Sequence, residues 1–274
     1  MAKPTGLRNL FRLRTIFLGM LVAGVVAAHA QEPPHAPDRT REFTNAILKA
    51  DWTELEPGLL VLNNWSDGVK LIAIRIADSR FALSVAAQAD PKGEFVDTIG
   101  KRTEAVIAVN GGFFGASEKD GALFPVGLLR VADHNHGQEW GSIGGYLAMR
   151  SDRTEIRPTR FGSPDSPFVI QSKPVLIEPG GVWAMNTNNG QFRPRTLVCR
   201  RNGETLIVVA HGLGLSLFEA GWLLRAPEIG GAFACDSAMA LDGGGSTQLW
   251  VAGHDEFTVI GATRVHNALI VQRK

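Results

Sequence analysis

The sequence contains no G-x-S-x-G elbow, and Ser246 has no evident base, which argues against a serine hydrolase. Internal repeats, low-complexity tracts and clear linkers are also missing, so the chain beyond its leader reads as one domain. No stretch after residue 30 stays apolar for the roughly 20 residues that a membrane span needs. There is no positive excess either. Lys3, Arg8, Arg12 and Arg14 account for four of the 28 basic residues; without them 24 Lys and Arg face 27 Asp and Glu, a net charge of −3. Nucleic acid finds no electrostatic hold on such a chain and is not expected as a partner. Only two cysteines occur, Cys199 and Cys235. They read equally well as a disulfide or as two small buried apolar residues.

What is present begins with an address. A basic start is followed by about 13 apolar residues, 16–28, and then by Ala28-His29-Ala30, an A-x-A cleavage pattern. A run of that length is short for an uncleaved anchor. We therefore expect a signal peptide over residues 1–30 with the cut after Ala30, a leader over 31–57, and the functional domain over 58–274. The expected location is the periplasm or outside the cell, with no stable membrane span after cleavage.

The 31 glycines and 14 prolines are dispersed, which points to many turns between short strands. Residues 69–76 and 81–86 read as an antiparallel pair around the turn 78–80, and 95–102 as a short helix. Residues 124–131 read as one strand. Ser216-Leu-Phe-Glu219 has the S-x-x-E capping-box pattern and opens a helix. The fold class is α+β: a mostly antiparallel sheet assembly with a few helices and a site formed by strand-end loops.

Two stretches share one logic. Leu241 ends an apolar run and Asp242-Gly-Gly-Gly-Ser-Thr247 follows; Val109 ends another and Asn110-Gly111-Gly112 follows. Glycines that dense let backbone turn sharply or a ligand come close, and their N–H groups can face an anion. Each also reads as an ordinary tight turn. Arg193-Pro-Arg195-Thr196 brings two guanidiniums to the mouth of a hairpin, a fork suited to phosphate or carboxylate. His134 and His136 form an H-x-H pair in a polar loop without a third ligand of clear spacing. A divalent metal is left open there but not indicated, and no cofactor is expected. Asp236 lies among apolar neighbours and reads as a structural hydrogen-bonding group.

Taken together, 109–114, 125–128, 171–176, 193–196, the helix from Leu215, and 238–246 resemble the phosphodiester glycosidase family, in the family's order and over roughly 58–274. Its members include bacterial relatives of the enzyme that uncovers mannose 6-phosphate. The resemblance implies hydrolysis of a sugar 1-phosphodiester at the anomeric carbon, on a small or polymeric phosphorylated glycan. Asp242, Arg195 and Asn110 would be catalytic. Gly111, Gly112, Phe113, Gln171, Arg193, Thr196, Gly243, Gly244, Gly245, Ser246 and Thr247 would bind substrate. Two positions depart from the family: Ala240 stands where many members carry Asn, and Lys173 where a small residue is common. A metal-dependent phosphoesterase and a non-catalytic envelope glycan-binding protein are the rival classes.

Overall fold

The computed structural model describes residues 38–141, 143–188 and 190–274, and the expected signal peptide lies outside them. Among the described residues the largest sheet has eight strands, all paired antiparallel. Their order is Trp52–Glu56, Leu59–Ser66, Val69–Ala77, Glu204–Leu215, Arg193–Arg201, Ser237–Ala240, Val175–Glu178 and Val182–Trp183. A five-stranded sheet runs Thr154–Pro158, Gly145–Met149, Phe168–Ser172, Leu129–Val131, His134–Asn135. A four-stranded sheet runs Leu249–Val251, Ile107–Asn110, Asn267–Arg273, Phe81–Ala87. Phe114–Ala116 and Leu123–Pro125 add a small hairpin.

Side-chain alternation explains the layering. Along Val69–Ala77, Ile72, Ile74 and Ile76 face a core shared by the three sheets. Leu71 and Ala73 face a second core under helices α1 (Asp38–Lys49) and α3 (Leu217–Leu224). A strand covered on both faces must be apolar throughout, and this one nearly is. Phe43 and Ile47, one helical turn apart, dock α1 on that sheet. Ser216 caps α3 by accepting from Glu219 N, while the Glu219 carboxylate accepts from Ser216 N. Helix α2 is Val96–Arg102.

Three expectations change. Val69–Ala77 and Phe81–Ala87 do not pair with each other: the turn between them carries the chain from the eight-stranded to the four-stranded sheet. Residues 124–131 are not one strand, because Gly127 at φ 97 breaks them into two. Asn110-Gly111-Gly112 is no hairpin turn. Asn110 ends a strand whose neighbours come from 249–251 and 267–273.

Cys199 and Cys235 form a disulfide, with Cα atoms 5.7 Å apart. It ties the Arg193–Arg201 strand to the residues that lead into Ser237–Ala240. Such bonds persist in oxidising compartments. Among the described residues no helix is long and apolar enough to cross a membrane.

Candidate active site

Three strand ends make the site. Leu241 N–H donates to Thr196 O, so Asp242 and Arg195 leave the paired strands side by side. Asp242 N–H donates to Gly111 O, which joins the third strand end from the four-stranded sheet. The cleft at this junction has a volume of about 740 Å³. Asp242, Gly243, Gly244, Arg193, Arg195 and Phe113 line it, together with Lys173, Arg160, Glu178, Thr159, Met185, Thr187 and Leu217.

Asp242 is half-buried, and among the described residues no basic side chain pairs with it. Burial pushes its carboxyl above the ordinary value, partly offset by hydrogen bonds from the Ser246 hydroxyl and from Gly243 N–H at 2.8 Å. Gly243 N–H is therefore spent on the carboxylate. Gly243 also has no room for a side chain, since a Cβ there would meet Pro194 O at 2.9 Å and Arg195 Cδ at 3.8 Å. The Arg195 guanidinium is held by two carbonyls, Leu215 O at 3.0 Å and Gln191 O at 2.9 Å. Burial and the neighbouring Arg193 hold it below the usual arginine range, yet arginine stays charged. Among the described residues neither Arg193 nor Arg195 has a carboxylate partner. Arg160, by contrast, is neutralised by a two-pronged pair with Glu178 at 2.5 and 2.6 Å. The cleft thus carries one unpaired carboxylate amid unpaired cations.

Asn110 is 1% exposed and does not line the cleft. Its Nδ2 donates to Asp242 O at 2.6 Å, and its Oδ1 accepts from Thr196 Oγ1 at 2.6 Å and Gln248 N at 3.1 Å. Its amide clamps the three strand ends rather than facing the cleft. Thr196 is spent on that clamp. Gln171, fully buried, accepts from Leu128 N and Trp140 N and donates to Trp140 O, fixing the segment that carries Trp140. Gly111 and Gly112 are buried against Asn267, whose Oδ1 accepts from Gly112 N at 2.8 Å; a Cβ on Gly111 would meet that oxygen at 2.0 Å. Gly245, Ser246 and Thr247 do not line the cleft: Gly245 is exposed to one side, Ser246 is buried and Thr247 wholly buried. In Asn110, Thr196, Gln171, Gly111, Gly112 and Ser246 the polar atoms or the space are taken by protein, whereas the Thr247 hydroxyl is buried without a partner and Gly245 is exposed with room around it.

Asn267, Gln248 and Trp140 were not singled out from the sequence. Asn267 and Gln248 do leave a signal, as polar residues at the start of apolar runs; Asn267 accepts from Gly112 N, while Gln248 accepts from Val96 N and donates to Thr263 O. His134 lies in a two-residue strand with Nδ1 beside Ala132 O, and the H-x-H hairpin is not part of the cleft. Among the described residues no group of three His, Cys, Asp or Glu is placed to hold a metal ion. Asp236 is exposed, away from the cleft, and accepts from Gly180 N.

A site built from glycine-rich strand ends, an acid and an arginine fork places the protein among known sequences. Residues 103–272 match the sequence profile of the phosphodiester glycosidase family, and the chain belongs to that family. Its fold is similar to the crystal structure of a hypothetical protein from Synechocystis, with TM-score 0.63, 16% identity, and 82% of this chain and 64% of that one covered. The chain therefore spans a little under two thirds of that protein. It is also similar to the catalytic domain of zebrafish N-acetylglucosamine-1-phosphodiester alpha-N-acetylglucosaminidase, auto-inhibited by its pro-peptide. There the TM-score is 0.56 at 14% identity, covering 88% of this chain and 95% of that one. At such identities the likeness is one of fold. A comparison with curated proteins gives no match.

Proposed function

We propose that the protein is an exported hydrolase that cleaves a sugar 1-phosphodiester at the anomeric C–O bond, releasing free sugar and a phosphomonoester. Its substrates would be envelope or extracellular glycans. The observation that carries this reading is the placement of unpaired Asp242 beside unpaired Arg195 and Arg193 in one cleft. Family membership and the zebrafish relative's named activity support it. The disulfide supports export.

The chemistry follows from the leaving group. A phosphate is far less basic than an alkoxide and needs little protonation, so fixed positive charge serves in place of a general acid. Arg195, held by two backbone carbonyls, presents its remaining N–H groups to the departing phosphate, and Arg193 adds charge from the exposed side. Asp242 meets the sugar side. It stabilises the oxocarbenium-like carbon, activates water or attacks directly. Asn110 keeps the carboxylate and the guanidinium in register from beneath.

Hydrolysis of a sugar 1-phosphodiester in ¹⁸O-labelled water tests this reading. Label in the sugar means C–O cleavage and supports it. Label in the phosphomonoester means attack at phosphorus and overturns it in favour of a phosphoesterase.

A further inference from the structure

The cleft holds more unpaired positive charge than one phosphodiester requires. Arg193 and Arg195 stand on one side of the Ser237–Ala240 strand, and Lys173 on the other, just ahead of Val175–Glu178. Ala240 N–H donates to Pro174 O, which fixes Lys173 one residue from that shared edge. Two strand spacings separate the flanking strands, about 10 Å. A single diester charge matches the Arg193–Arg195 fork and leaves Lys173, which comes from the far strand, unmatched. Among the described residues Lys173 has no carboxylate partner.

Lys173 and Phe113 line the cleft, and Trp140 backs both of them. Its Nζ lies 5.1 Å from the centre of the Trp140 ring, and Trp140 packs on Phe113 with ring centres 5.8 Å apart. The ring face steadies the ammonium without neutralising it. Gln171 grips the Trp140 backbone from both sides, so this wall is pre-set. Aromatic side chains with one placed polar group are how pockets seat and orient an amphipathic ligand. The phosphate belongs at the guanidinium end, and the sugar ring at the Phe113 end, under Lys173.

We infer that Lys173 is a specificity-determining residue that selects a sugar bearing an acidic substituent, a carboxylate or a second phosphate, on the anomeric phosphodiester. This rests on the glycosidase reading above. The substrate then carries negative charge at both ends and bridges two cationic ends of one cleft.

Three methyl phosphodiesters test it: those of glucose, glucuronic acid and glucose 6-phosphate, each linked through C1. The wild-type protein should favour one or both acidic sugars over glucose by about tenfold in kcat/KM, the worth of one charge-assisted contact. Lys173→Met, which keeps the stem over Trp140, should erase that ratio, and Lys173→Glu should invert it. Which acidic sugar gains tells carboxylate from phosphate. Equal rates on all three, or a Lys173→Met loss shared equally by all three, overturn the inference and leave the glycosidase reading standing. Should none be hydrolysed, the glucose series is not the substrate and binding replaces turnover as the readout. Calorimetry with glucose 1-phosphate and glucuronic acid 1-phosphate then decides on Lys173: tighter uronate binding that vanishes in Lys173→Met supports it, and equal binding overturns it.

Discussion

The floor of the cleft and its lining are both polar, but they differ in how their polar atoms are spent. On the floor, Asn110 makes three hydrogen bonds, Gln171 three, and Asn267 fixes the Gly111–Gly112 bend. In the lining, among the described residues, Asp242, Arg193 and Lys173 have no partner of opposite charge, and the hydrogen bonds of Arg195 go to two carbonyls. Unspent charge at a surface is what a ligand can use; saturated amides are what keep that surface in shape. Buried amides therefore belong to the scaffold even where, like Asn110, they bond the backbone of a lining residue.

Four substitutions sharpen or break this contrast. Asp242→Asn should remove at least about a thousandfold of diester hydrolysis with the fold intact, in the upper range for a positioned carboxylate. Wild-type turnover in that variant would show that the lining acid is idle. Arg195→Ala should cost roughly a hundredfold or more on phosphodiesters and far less on aryl glycosides with good neutral leaving groups. Parallel losses on both substrates would move the phosphate elsewhere. Asn110→Ala should lower unfolding stability in urea by about 2–3 kcal/mol, since it strands the Thr196 hydroxyl, Gln248 N–H and Asp242 carbonyl. If activity fell without any stability change, Asn110 would belong with the lining.

The smallest effect concerns acidity. Ser246→Ala deletes a hydrogen bond that lowers the Asp242 carboxyl, so the acid limb of kcat/KM should move to higher pH. The sign for stability is the reverse of the usual carboxylate. Its folded value lies above 3.8, so the contribution to stability is present at low pH and lost as pH rises through that folded value. A limb that stays in place would mean that Ser246 does not touch the charge.

The strand-end logic of Asp242 and Asn110 was legible because glycine clusters after apolar runs are local features, readable without the fold. So were the capping box at Ser216 and the apolar strands. Partnership was not. The turn at 78–80 looks like a hairpin from composition, yet its two strands enter different sheets, and hydrophobic pattern carries no record of which neighbour fills a face. Nor could spacing separate lining from floor: Thr196 and Arg195 are adjacent, and strand alternation turns one inward and the other to the cleft. Asn267 went unnoticed because its partner loop lies more than 150 residues away.

The Cys199–Cys235 bond closes a ring of chain that contains α3 and the exposed turn at Pro227–Ile229. A protease that nicks that turn cuts the backbone between the guanidinium-bearing strand and the acid-bearing strand, but leaves them stapled together. The nicked molecule keeps both halves of its cleft for as long as its surroundings stay oxidising. Reducing agent added after the cut leaves only strand pairing and core packing to hold them.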